Sequence, residues 1–160
     1  MSPLAPPLAR VPVTMSHASH HPRYDVSVML TGDRAQIDQI EQDIMAQLEK
    51  FAYTKASRFA VKLSIEEAVA NAFNHGHKHL PPGVPVRLEY SLAPDEVRVA
   101  VEDQGPGFVP ADVPDPTMDE NIEQPSGRGI MLIRAYMTRV AFSGTGNRIE
   151  MTYKKPAPKA

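Results

Sequence analysis

The sequence predicts an α/β (α+β) two-layer sandwich, with helices on one face of a mixed, largely antiparallel sheet. Three observations predict it. Apolar and polar residues alternate in five short runs, the period of a half-buried strand. Longer runs between them repeat apolar residues at helical intervals, two after the first strand and one before the last pair. Short turns, Ala93-Pro94-Asp95 and Gly144 to Asn147, join neighbouring strands as hairpins, which makes at least part of the sheet antiparallel.

Taken in order, residues 1–22 are rich in Pro, Ala, Ser and His without a sustained period, and read as a flexible arm. Val26, Val28 and Leu30 alternate along a first strand, Tyr24 to Leu30. Gly32 and Asp33 open a helix whose Ile37, Ile40, Ile44 and Leu48 share a face, with Asp33 placed to cap it. After a break at Tyr53 and Thr54, a longer helix runs from Lys55 to about His79, until Pro81, Pro82 and Gly83 stop it. Val84 to Leu92 and Glu96 to Glu102 alternate on either side of a turn and form a hairpin.

Between Phe108 and Ser126 lie Pro110, Pro114, Pro116 and Pro125 with Asp112, Asp115, Asp119, Glu120 and Glu123, the composition of a long mobile loop with a function. Gly129 to Met137 then reads as a helix, and Arg139 to Phe142 and Arg148 to Tyr153 as the closing strands. The expected organisation is an arm at 1–22, one folded domain at 23–155 and a frayed tail at 156–160. There is no internal repeat.

Bulk properties narrow the function. The chain has 160 residues, enough for one domain with a substantial core, and a net charge of -2, which gives no electrostatic case for a DNA or RNA partner. Without cysteine there is no disulfide, thiolate metal site or cysteine nucleophile. No apolar run approaches the roughly 20 residues of a membrane span, and the N-terminus lacks the order of a secretory signal. A soluble, cytoplasmic protein is expected.

Three local patterns carry chemistry. In the second helix Glu67, Asn71 and His75 are spaced by four and four, so they form one polar stripe beside the small Ala68 and Ala72. Taken alone, such a stripe is more often the wet side of an amphipathic helix. Directly after the apolar run Val97, Val99, Val101 comes Asp103-Gln104-Gly105-Pro106-Gly107-Phe108. Its glycines permit close backbone approach to a bound ring, and an ionised Asp103 accepts a hydrogen bond from an exocyclic amine; an ordinary turn has about even odds of the same pattern. Finally, Ser126-Gly127-Arg128-Gly129-Ile130 leads glycines into an apolar helix, where free N–H groups and the positive helix end suit an anion.

In this order the three patterns resemble the N, G1 and G2 boxes of the histidine-kinase-like ATPase (GHKL) superfamily, and the wording "EEAVANAFNHG" and "SGRGIMLI" is most similar to the anti-sigma factor serine kinases. The resemblance runs from about Tyr24 to Tyr153. It implies a Bergerat-type ATP-binding fold with ATP and Mg²⁺ as ligands. It further implies that Asn71 coordinates Mg²⁺, that Asp103 recognises the adenine amino group with Gly105 and Gly107 beside it, and that Gly127, Arg128 and Gly129 contact the phosphates. Glu67 is then the general base on an incoming hydroxyl, and His75 a secondary site residue. Glu66 competes for the role of base but sits about 100° away from the Asn71 stripe.

The resemblance also implies partners: a sigma factor, a STAS-type anti-sigma factor antagonist phosphorylated on Ser or Thr, and a second copy in a homodimer. A non-catalytic ATP-dependent protein-binding regulator is the alternative. A sensor histidine kinase is disfavoured, because residues before Tyr24 are too few and too proline-rich for a phosphoacceptor helix pair. His75, His77 and His79 alternate, which on a strand could bind zinc or nickel; at a helix end, neighbours two apart point to nearly opposite sides.

Overall fold

Five strands form one sheet: β1 (Tyr24–Leu30), β2 (Val86–Leu92), β3 (Glu96–Glu102), β4 (Arg139–Ser143) and β5 (Arg148–Lys154), in the order β1-β2-β3-β5-β4. The computed structural model describes residues 23–107 and 125–157, the side chains of 125–127 excepted. The expected arm, the acidic loop 108–124 and the end of the tail lie outside the described residues. Every neighbouring pair of strands is antiparallel, so the largely antiparallel sheet expected is antiparallel throughout these strands. Helices α1 (Arg34–Lys50), α2 (Lys55–Asn71) and α3 (Pro125–Tyr136) complete the sandwich.

Alternation along the strands decides which face the helices cover. Val86, Leu88 and Leu92 of β2, Val97, Val99 and Val101 of β3 and Met151 of β5 are buried against Ile44, Leu48, Val61, Ile65 and Ile133 of the helices. Each such side chain withdrawn from water contributes roughly 1.5–3 kcal/mol. The opposite face carries Arg148, which reaches Glu89 at 3.1 Å and Glu150 at 3.0 Å, with Glu102 at 3.9 Å and Arg87 to Glu102 at 3.7 Å. Ala100 stands between Glu89 and Glu150 in register, and its small side chain leaves the Arg148 guanidinium room to cross the strand.

Local signals set the helix starts. The Asp33 carboxylate accepts the Ala35 N–H at 3.0 Å, and Thr54 Oγ1 accepts the Ser57 N–H at 3.1 Å, caps worth about 1 kcal/mol each. Three boundaries differ from expectation by two residues or more. The α3 helix begins at Pro125 rather than Gly129, because proline suits the first helical turn, where its missing N–H has no partner to lose. The β2 strand begins at Val86 rather than Val84, since Pro85 has no N–H for the ladder. The second helix keeps α geometry only to Asn71; Ala72–Gly76 is a π turn, closed by the His77 N–H on the Ala72 carbonyl at 3.0 Å. No helix among the described residues is long and apolar enough to cross a membrane.

At the seam of α1 and α2, Glu41 is 4% exposed and its Oε1 has no hydrogen-bond partner among the described residues. Burial first, and then the neighbouring Glu66 carboxyl, push Glu41 up to about 7, against opposing pulls from Lys62 and Arg34. Because the folded value lies above the ordinary one, the folded state holds a proton that the unfolded chain releases from about pH 4.5, so stability falls as pH rises from there to about 7. Glu41→Gln, which imitates the neutral form, should flatten that fall: thermal melting should show a larger gain over the wild type at pH 8 than at pH 5.

Candidate functional site

The α2 helix delivers the first two predicted residues to one place. Glu67 and Asn71 are one turn apart on the same face. Both meet α3 at Gly129: a Cβ there would stand 2.9 Å from Asn71 Nδ2, 3.0 Å from Glu67 Oε2 and 3.2 Å from Asn71 Oδ1. A Cβ would push these side-chain ends aside, so glycine lets the α3 backbone come this close without displacing them. Ile133, one turn further along α3, is wholly buried and holds the helix in that position.

Neighbouring Glu66 turns the other way. Its carboxylate lies 4.0 Å from the Arg34 guanidinium of α1 and within hydrogen-bonding reach of Glu41. The 100° step of the helix therefore separates two adjacent carboxylates by role: Glu66 joins the α1 seam, and Glu67 faces α3 beside Asn71.

Asp103, just past the end of β3, faces the end of the π turn. A Cβ at Gly76 would fall on the Asp103 carboxyl, with Oδ1 at 2.7 Å. The Asp103 Oδ1 atom accepts the Gly105 N–H at 2.8 Å, closing an Asx turn. Burial raises Asp103 above its ordinary carboxylate value, opposed by the Gly105 N–H and the His77 ring. A half-buried carboxylate with one oxygen already bonded has its other oxygen available to accept from an amino group.

Three groups that the sequence motifs did not single out lock this turn in place. His77, 9% exposed, accepts the Gln104 N–H on Nε2 at 2.8 Å, which puts its own proton on Nδ1. Asn147, in the β4–β5 turn, donates from Nδ2 to the Asp103 carbonyl at 2.8 Å and accepts the Asp103 N–H on its own carbonyl at 2.9 Å. Thr145 backs Gly107, whose φ of +77° and contact with the Thr145 carbonyl both require glycine. Gly105 lies against the Gly76 carbonyl. The sequence pointed to His77 only as one of three alternating histidines, and to Thr145 and Asn147 only as members of a hairpin turn.

The remaining predicted residues divide. Gly127, Arg128 and Gly129 fall in the first turns of α3, and Arg128 is exposed without an ion pair among the described residues. His75 is exposed on the π turn. The alternating histidines do not converge, with His75 and His79 at the surface and His77 buried. Among the described residues no group of three or more His, Asp or Glu is placed to hold a metal ion by itself.

A model of the histidine kinase-like ATPase domain matches residues 30–153, which includes Glu67, Asn71, Asp103 and Gly129. The protein belongs to the histidine kinase-like ATPase family. Among solved structures, it is similar to the crystal structure of the RsbU and RsbW domains of Rv1364c from Mycobacterium tuberculosis, with a TM-score of 0.56 and 16% identity. That match covers 86% of this chain and 34% of the other, so the present chain spans about a third of its length. At this identity the likeness is one of fold.

Contacts at the two glycines make opposite predictions for fold and site. Gly129→Ala should retain or raise the melting temperature, because helix propensity gains up to ~1 kcal/mol and the atoms it meets are ends of flexible side chains. The same change should lower nucleotide affinity by displacing Glu67 and Asn71, read by calorimetry. Gly76→Ala should leave circular dichroism near the wild type and weaken nucleotide binding by about tenfold or more, through the displaced Asp103 carboxylate.

Proposed function

We propose that this ATPase-family protein binds ATP with Mg²⁺ and transfers the γ-phosphoryl group to a serine or threonine of an antagonist protein. In the same reading it holds a sigma factor, acts as a homodimer and works in the cytoplasm. The observation that carries the proposal is the meeting of Glu67, Asn71 and the α3 backbone at Gly129, with Asp103 set further along the same helical rod. Asn71 and Gly76 are five residues apart, roughly 7 Å at helical rise, so the two ends suit the phosphates and base of one nucleotide.

Each residue has a physical role in this reading. The Asp103 carboxylate accepts from the adenine amino group, and Gly105 and Gly107 leave room for the ring. Gly127 at the helix N-terminus offers an N–H group and Arg128 a guanidinium to the phosphates, and Gly129 keeps the α3 backbone close to them and to Asn71. Mg²⁺ takes oxygen ligands, usually one or two from protein with the rest from phosphate and water, and Asn71 Oδ1 with Glu67 Oε2 nearby fits that need. When bound, the ion neutralises phosphate charge. Phosphoryl transfer is mostly positioning and charge stabilisation, so one carboxylate suffices to orient the attacking hydroxyl and take its proton. Glu67 holds that place, and His75 serves as a peripheral contact at the rim.

Calorimetry with Mg-ATP should show binding that Asn71→Ala and Asp103→Asn each weaken by at least about tenfold. Affinity should fall as pH drops through the raised Asp103 value, because protonation removes an acceptor, and Asp103→Asn should lose that dependence. With labelled ATP and the antagonist proteins encoded beside it, the wild type should phosphorylate a serine or threonine. Glu67→Ala should abolish transfer while binding stays within about threefold of the wild type. Absence of heat with Mg-ATP overturns the whole reading; binding without transfer to any partner leaves the non-catalytic regulator.

A further inference from the structure

The α2 and α3 helices stay in contact well beyond the site. Glu67 meets Gly129 at one end, and at the other the Phe59 and Tyr136 rings pack edge to face at 5.9 Å. Phe59, Leu63 and Glu67 recur at four and four on α2, while Gly129, Leu132 and Tyr136 recur at three and four on α3, so each set forms one line. The lines run antiparallel and bound a shallow groove about 12 Å long, eight residues at helical rise. Phe59 is 55% and Tyr136 40% exposed. An aromatic pair left half in water at the end of such a groove is an anchor site without its occupant among the described residues.

Charge identifies the occupant. Lys55 and Lys62 flank Phe59 on the same face of α2, and Arg128 stands at the other end of the groove. Lys55 and Arg128 make no ion pair among the described residues, and the α2 segment 55–65 and α3 contain no acidic residue. The acidic groups, Glu66 and Glu67, lie only at the site end. An apolar groove with a cationic rim suits an acidic protein segment carrying one large apolar side chain.

We propose that the groove between α2 and α3 is the docking track for the acceptor protein, which seats an apolar side chain on Phe59 and Tyr136 and presents its hydroxyl to Glu67. The inference rests on the kinase reading for the fate of the hydroxyl and on the groove alone for the docking. Carboxylates on both sides of the anchor meet Lys55 and Lys62, and the span from anchor to hydroxyl matches the distance from Phe59 to Glu67.

The test uses the full chain, an ATP analogue and 20-residue acidic peptides with one serine. One series carries a leucine four residues from the serine, about 13 Å in an extended segment, and a control series replaces that leucine with glutamine. Fluorescence anisotropy should show the leucine series binding about tenfold tighter, and Phe59→Ala or Tyr136→Gln should erase the difference with ATP affinity unchanged. With labelled ATP, phosphate should pass to the leucine series at lower KM and similar kcat. Equal binding of the two series, or a preference that survives Phe59→Ala, overturns the docking track. Self-association lost in Phe59→Ala, with no peptide preference, overturns it in favour of a second copy as occupant. Anchored binding without transfer to any peptide supports the track and counts against the kinase reading alone.

Discussion

The close approach of the α3 backbone to α2 at Gly129 is the constraint on which the other features depend. A side chain at that position would meet the ends of Glu67 and Asn71 within about 3 Å, so only glycine lets the helices adopt this spacing with both side chains left in place. The gain is that the first turns of α3 stand directly over a carboxylate and a carboxamide. Ile133 supplies the opposing requirement, since its burial fixes α3 on the sheet and leaves the glycine nowhere else to go. Core packing and the candidate phosphate site are thus two ends of one short helix.

The π turn does similar work at the other end. Five residues wound more widely than an α-helix bring Gly76 onto the Asp103 carboxyl and swing His77 inward, where it accepts the Gln104 N–H. A regular helix would place neither group there. Asn147, from a strand turn distant in sequence, clamps Asp103 from the opposite side through two backbone bonds. The partial burial of Asp103 raises the cost of its charge, and these fixed donors and positions keep one of its oxygens directed rather than free to rotate.

Much of this was legible in the residues. The strands at 24–30 and 96–102, the cap Asp33 with its helix, the break at Thr54 and both hairpins follow from periodicity and turn chemistry, and the structure has them where those signals lie. The separation of Glu66 from Glu67 followed from helical geometry alone, and Arg34 and Glu41 occupy the side that geometry assigned. What the periodicity missed was the end of the second helix, expected near His79, because winding changed at Ala72 and a period measured over earlier turns no longer applied.

Local sequence by itself determined the elements, their ends to within a few residues save that of the second helix, the antiparallel hairpins and the order of three glycine- and carboxylate-bearing motifs, because each depends on contacts within a few residues. Tertiary structure alone decided that Glu67 and Asn71 share a wall with Gly129, that His77 is a buried acceptor rather than a surface ligand, and that Asn147 holds Asp103. These depend on pairs far apart in the chain, whose meeting is set by the twist of the sheet and the fit of the core. No period or spacing along one segment encodes such a distance.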